Sequence, residues 1–316
     1  MKKYKKDNYQ NYDIKKLKEL KTIKTSIHND IILALDDGRV LSKGDKGNEC
    51  SMLRVINIEK KVDDICEKRY VKDMKKLDDG NILLLEDDLL KIINIEDNKI
   101  VELSVLKGEG NKIFILFEGN FMTKYENNSK TIYLYHYSNK KLYYDKEFDL
   151  DNIIKKWGGL QDICPINKNR VAITCFEEGK VYGWNNYLLI FDFIEEKKKK
   201  LKKIGEGDNN LCLINDNNLI LCNNNKIILI DIEEFKIIGE IKDIPSIENI
   251  LPLNEKSFIT YDIGFTQYEI DLKDKKKIIK KGSAGITSNY ILNSIQKYPG
   301  NKLVIGNLDT IAIVGE

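Results

Sequence analysis

Val55-Ile56-Asn57-Ile58, Ile92-Ile93-Asn94-Ile95, Ile190-Phe191-Asp192-Phe193 and Leu229-Ile230-Asp231-Ile232 repeat one short phrase. Each has two apolar residues, an acid or amide, and a further apolar residue. Leu134-Tyr135-His136-Tyr137 and Glu269-Ile270-Asp271-Leu272 are looser copies. The central residues stand at 57, 94, 136, 192, 231 and 271, at intervals of 37, 42, 56, 39 and 40. A period of about 40 built from short β-prone runs marks a repeat architecture with one small sheet per unit.

Residues 247–281 show the unit most clearly. Ile250-Leu251-Pro252-Leu253, Phe258-Ile259-Thr260-Tyr261, Gln267 to Leu272 and Lys277 to Lys280 read as strands, separated by polar turns. Four short strands in about 40 residues form an antiparallel meander. Its first turn recurs as Leu77-Asp78-Asp79-Gly80-Asn81-Ile82, Ile166-Asn167-Lys168-Asn169-Arg170-Val171 and Ile214-Asn215-Asp216-Asn217-Asn218-Leu219. Asp, Asn and Gly gather there because such turns need positive φ or side chains that cap their own backbone. Seven cores follow: 27–66, 70–104, 111–149, 158–205, 209–242, 246–282 and 289–316. The last lacks a strand, and Leu17 to Ile23 can supply it from the other end of the chain. Ile14, Leu17 and Leu20 also fit helical spacing, but the closing strand is favoured because it removes open sheet edges. The fold expected is therefore all-β: one propeller of seven four-stranded blades, its ring closed by an N-terminal strand. Residues 1–16 would form a flexible basic tail and 17–316 the propeller. Two stretches break the period in the fourth blade. Residues 149–159 suggest a short helix, and Phe176 to Asn186 a lengthened loop.

Composition excludes several function classes. Basic and acidic residues number 52 and 50, a net charge of +2, so the chain is no general polyanion binder. Arg39, Arg54, Arg69 and Arg170 are its only arginines, a poor toolkit for bidentate phosphate or guanine recognition. Nucleic acid is therefore not expected as a direct specific ligand. No run approaches the ~20 apolar residues of a membrane span, and no secretion signal is evident. The six cysteines form no CxxC pair, and His28 and His136 lie far apart. Reduced, buried thiols in the cytoplasm or nucleus are the plain reading.

These repeats resemble the WD40 family of β-propellers. The period, the meander and the acid after an apolar pair all match. The Asp of the family's Trp-Asp pair maps onto Asp192, Asp231 and Asp271, with Asn57, Asn94 and His136 as substitutes. The Trp position holds Ile56, Ile93, Tyr135, Phe191, Ile230 and Ile270, and the family's Gly-His dipeptide is absent. The buried hydrogen-bond network linking those family residues is accordingly not expected here. The resemblance implies an interaction platform; fold alone does not establish that.

Catalytic signatures are absent. There is no nucleophile elbow, zinc-protease motif or phosphate-binding lysine loop. His136 reads as a blade residue without an acid or nucleophile partner. Gly108-Glu109-Gly110 falls between blades as a turn. Asp36-Asp37, Asp63-Asp64, Asp78-Asp79 and Glu86-Asp87-Asp88 lack the spacing of a calcium loop. No cofactor or metal is expected. One rim stands out: Trp157 and Trp184, with Phe176, Tyr182 and Tyr187, converge on the irregular fourth blade. Exposed aromatics are frequent interface anchors, although the same residues could form a local mini-core under the insertion. The reading is a non-catalytic scaffold for a protein partner. The alternatives are an enzyme or small-ligand propeller with its site at the central channel, and a fixed subunit of a large assembly.

Overall fold

The computed structural model describes residues 14–25, 29–45, 51–96, 98–125, 129–152, 154, 158–178, 184–202, 204, 209–223, 225–244, 247, 249–261, 265–271, 277–284, 294–307 and 309–316. A 3₁₀ turn, Ile14–Lys16, leads into β1 (Lys18–Lys24). Blade 1 holds β2 (Ile31–Ala34), β3 (Val40–Asp45), β4 (Ser51–Asn57) and β5 (Val62–Lys68). Blade 2 holds β6 (Val71–Lys76), β7 (Ile82–Glu86), β8 (Leu89–Glu96) and β9 (Lys99–Lys107). Blade 3 holds β10 (Lys112–Ile115), β11 (Asn120–Lys124), β12 (Thr131–Ser138) and β13 (Lys141–Asp149). Blade 4 holds β14 (Gly159–Pro165), β15 (Arg170–Glu178), β16 (Trp184–Asp192) and β17 (Lys197–Lys202). Blade 5 holds β18 (Asn209–Asn215), β19 (Asn218–Asn223), β20 (Lys226–Asp231) and β21 (Lys236–Ile241). Blade 6 holds β22 (Asn249–Pro252), β23 (Ser257–Tyr261), β24 (Phe265–Ile270) and β25 (Ile278–Ala284). Blade 7 combines β26 (Ser294–Tyr298), β27 (Lys302–Gly306) and β28 (Thr310–Gly315) with β1. β1 pairs antiparallel with β28, from Lys18 opposite Gly315 to Lys24 opposite Thr310. The closing strand expected from the sequence is thus present, and the 3₁₀ turn takes only the residues just before it. The ring is a seven-bladed β-propeller.

The core lies between blades. Seven buried apolar clusters occupy the seven blade–blade interfaces. This explains why the repeated phrase carries two adjacent apolar residues. Successive strand residues point to opposite faces, and each face of a blade meets a different neighbour. Val55 packs toward blade 2 and Ile56 toward blade 7. Likewise Ile92 and Ile93, Ile190 and Phe191, and Leu229 and Ile230 divide between two clusters. A strand buried on both faces reads as a continuous apolar run.

In three copies the acid or amide ends the third strand and caps the following turn. Asn57 Oδ1 accepts from Lys60 N at 3.0 Å, Asp192 Oδ1 from Glu195 N at 3.0 Å and Asp231 Oδ1 from Glu234 N at 2.8 Å. Four residues beyond positions 57, 94, 192 and 231, Lys61, Asn98, Glu196 and Phe235 take positive φ of 57°, 58°, 51° and 49°. Side-chain capping supports that turn. Just before the acid, the third and fourth strands slip register in blades 1, 2, 3, 5 and 6. Such bulges bend the outer strand and raise its twist.

Two details differ from the sequence reading. In blade 6 Phe258 lies opposite Tyr268, as Phe121 lies opposite Tyr135 in blade 3. The repeat centre there is Glu269, not Asp271, which falls beyond the strand. A slip of two residues preserves the inward and outward alternation, so patterning alone does not reveal it. In blade 4 the lengthened loop is largely hairpin: β15 and β16 pair out to Glu178 opposite Trp184. Of the short helix read over 149–159, residues 153 and 155–157 lie outside the described residues. β13 runs to Asp149, and Ile154 N donates to Leu150 O at 3.0 Å. Leu150 and Ile154 are drawn into the blade 3–blade 4 cluster.

Candidate functional site

The first strand of each blade lies toward the axis, where neighbouring first strands touch. Two of them bulge beside an aspartate, at Val71/Asp73 and Leu160/Asp162. Each carboxylate then reaches the next blade. Asp73 Oδ2 accepts from Ile113 N at 2.7 Å, and Asp162 Oδ2 from Leu211 N at 2.8 Å. These axial carboxylates join adjacent blades. Among the described residues no group of three or more His, Cys, Asp or Glu side chains is arranged to hold a metal ion.

A more open site lies between blades 2 and 3. On β12, Tyr133, Tyr135 and Tyr137 alternate with Ile132, Leu134 and His136, so the three phenols face blade 2. Tyr135 is 1% exposed and stacks on Phe121, with centroids 5.3 Å apart. Its hydroxyl oxygen accepts from Glu109 N at 3.0 Å. Glu109 is held there by two glycines. A Cβ at Gly108 would collide with Leu90, and Gly110 has φ +103°, where a Cβ would meet the Lys124 carbonyl oxygen at 2.8 Å. The interblade turn expected at Gly108-Glu109-Gly110 is therefore also the support of an acidic side chain.

Tyr144 and Glu147 complete the groove from β13. They are three residues apart and would face opposite sides of a regular strand. The bulge corrects this: Tyr135 pairs with Tyr144 while Leu134 pairs with Lys146, leaving Asp145 extra. Tyr144 then meets the ring of Tyr135 edge-on at 5.5 Å and 67°. Lys107, Glu109, Tyr133, Tyr135, Tyr144 and Glu147 line an open groove of about 360 Å³. Tyr125 sits edge-on to Tyr133 at 6.3 Å and donates its hydroxyl to Glu109 Oε2. Burial first, then the fields of Glu109 and Glu147, push the Tyr133 hydroxyl above its ordinary pKa. The Tyr144 hydroxyl is raised by the same causes, with Glu147 ahead of Glu109. The carboxylates thus act electrostatically on both rings. Aromatic faces beside carboxylates form a surface suited to a cation.

His136, on the opposite face of β12, has an acid partner that the sequence reading denied it. Its Nδ1 lies 2.6 Å from Asp145 Oδ1, and its ring stacks on Tyr143 at 4.6 Å. The partner is supplied by the bulged residue, whose cross-strand position no spacing rule gives.

A buried hydrogen-bond network of other residues joins blades 1 and 7. Asn29 is fully buried. Its Oδ1 accepts from Ser42 Oγ at 2.8 Å and from Arg54 at 2.9 Å. Its Nδ2 donates to Thr25 Oγ1 at 2.8 Å, Asn307 O at 2.9 Å and Thr310 O at 3.3 Å. Different residue types make the network, so a motif search misses it.

The fourth-blade aromatics are partly visible. Tyr187 is 6% exposed and packs in the blade 3–blade 4 cluster. Phe176 is half-buried on β15, opposite Asn186. Trp184 opens β16, opposite Glu178. Trp157 and Tyr182 lie outside the described residues. The groove tyrosines were missed because Tyr133, Tyr135 and Tyr144 read as ordinary strand residues.

No family model and no curated protein sequence matches the chain. Solved structures do: 715 chains match, a breadth that identifies an architecture and not a partner. Among them is a chain from the crystal structure of a mitotic checkpoint complex. It aligns with TM-score 0.68 over 96% of each chain at 10% identity. At that identity the likeness is one of fold, and the fold is that of a seven-bladed β-propeller.

Proposed function

We propose that this chain is a non-catalytic interaction platform that presents propeller surfaces to a protein partner in the cytoplasm or nucleus. The observation that carries the reading is the groove between blades 2 and 3. It presents half-exposed tyrosine on a rigid scaffold, and tyrosine is one of the residues enriched among interface anchors. The axial carboxylates, by contrast, are engaged with backbone N–H groups of neighbouring blades, which speaks against a channel enzyme. The structurally similar chain comes from a complex, which accords with the reading. The fourth-blade rim, with Trp157, Phe176, Tyr182, Trp184 and Tyr187, is proposed as a second contact region.

The test is affinity purification of the full chain followed by mass spectrometry. Recurrent stoichiometric protein partners are expected. A monomer that recovers no partner but retains a metabolite or metal would overturn the platform. For the rim, Trp157→Ala and Trp184→Ala should weaken partner capture. Unchanged capture with lowered stability would assign those residues to a local core.

A further inference from the structure

We propose that the groove between blades 2 and 3 binds the guanidinium group of an arginine side chain carried by the partner. This rests on the platform reading above and names what one surface of it recognises. The walls are the rings of Tyr133, Tyr135 and Tyr144, and the rim carries Glu109 and Glu147 with Lys107. Two carboxylates against one ammonium give the lining a formal charge of −1, which favours a cation over an anion.

A guanidinium satisfies both kinds of wall at once. Its flat face stacks on a phenol ring, and its edge presents a fork of N–H donors to a carboxylate. A lysine ammonium offers charge without the flat face, and a neutral side chain offers neither.

The site is also held in shape before any ligand arrives. Tyr125 donates to Glu109, Tyr135 accepts from the Glu109 backbone, and Gly108 and Gly110 let that loop lie against blades 2 and 3. Tyr144 is 49% exposed, so one wall faces solvent and a side chain can enter from outside. Preorganisation of this kind reduces the ordering cost of binding. The volume, about 360 Å³, lies at the lower end of ligand sites and suits one side chain better than a large metabolite.

The experiment titrates the full chain with N-acetyl-arginine amide, N-acetyl-lysine amide and N-acetyl-citrulline amide, read by ligand-observed NMR. Citrulline keeps the shape of arginine and removes the charge. Arginine amide should bind about tenfold more tightly than citrulline amide, and more tightly than lysine amide. Glu147→Gln and Tyr144→Leu, both on the exposed outer strand, should each weaken it about five- to tenfold, with far-UV circular dichroism and melting temperature retained. Equal binding of arginine and citrulline overturns the proposal, as does equal binding of arginine and lysine, or no effect of either substitution. The two readings fail separately. Partners captured equally by wild type and Tyr144→Leu leave the platform standing and remove the arginine site. Arginine binding without any captured protein does the reverse.

Discussion

Phe121 and Tyr135 stack face to face across β11 and β12, with centroids 5.3 Å apart and planes 10° apart. Phe258 and Tyr268 repeat the pair in blade 6 at 5.5 Å and 17°. Thr123 and Thr260, each two residues beyond the Phe, are hydrogen-bonded with the paired tyrosine. Blades 3 and 6 therefore share a packing unit in which tyrosine brings both a ring and a polar tip to the interface between blades.

Tyr135→Phe keeps the stack and removes the tip. Glu109 N then loses its acceptor at the partly buried base of the groove. The substitution should destabilise the propeller by about 1–2 kcal/mol, the cost of an unsatisfied buried donor. Urea unfolding checks this. A change near zero would mean that water replaces the phenol.

At the seam of the ring, Asn29 serves both blade 1 and blade 7. Asn29→Ala would strip partners from Arg54, Ser42 and the carbonyls of Asn307 and Thr310 together. Arg54 is 2% exposed, its Nε has no hydrogen-bond partner, and Asp63 is 3.7 Å away. Leaving such a charge short of a hydrogen bond costs about 1.5–3 kcal/mol, whereas Arg54→Met removes the charge along with its need for that partner and leaves only Asp63, itself 38% exposed, to water. Asn29→Ala should therefore cost more than Arg54→Met. Chemical denaturation of the two variants tests the order, and the reverse order would show that the guanidinium, not the amide, organises the seam.

Much of this fold is readable in the chain because its causes are local. Asn57, Asp192 and Asp231 recur because each caps a turn within three residues of itself. Apolar pairs such as Val55-Ile56 recur because a blade is buried on both faces. The closing strand follows from a blade one strand short. What stays hidden arises between strands. The extra residue at Asp145 turns Tyr144 and Glu147 to one side and gives His136 its acid partner, and spacing shows neither. Asn29 meets residues 278 and 281 positions away. The hairpin into which the fourth-blade insertion folds depends likewise on pairing between Phe176 and Asn186.

Arg69 gathers Glu67, Glu86 and Glu102, and Lys91 bridges Glu86 and Glu102, binding blade 1 to blade 2. The hydrogen bond from Arg69, with Lys91 nearby, holds the Glu102 carboxyl below its ordinary pKa. A carboxyl lowered in the folded state stabilises above its unfolded pKa of about 4.3, and that stability is lost as pH falls through the folded value. The group is 36% exposed, so the effect should be roughly 0–1 kcal/mol and should shrink in high salt. Glu102→Gln should melt slightly below wild type at neutral pH and converge with it in acid. Melting curves at both pH values test this, and a gap that widened in acid would contradict the ion cluster.

Cysteine chemistry offers a map of the interior. Cys164, Cys212 and Cys222 are buried in the interfaces of blades 4, 5 and 6, and Cys66 is exposed on β5. Burial is the main cause that pushes the Cys164, Cys212 and Cys222 thiols up. Cys212 and Asp162 raise Cys164 further, and Cys222 and Asp162 raise Cys212 further. The thiolate is the reactive form, so these three should resist iodoacetamide in the folded protein while Cys66 is modified. Unfolding in urea should expose all four to alkylation. Peptide mapping after brief labelling reads each site separately. Rapid native labelling of Cys212 would mean that the wall between blades 5 and 6 opens far more often than a dry interface of Ile, Leu, Phe and Cys side chains permits.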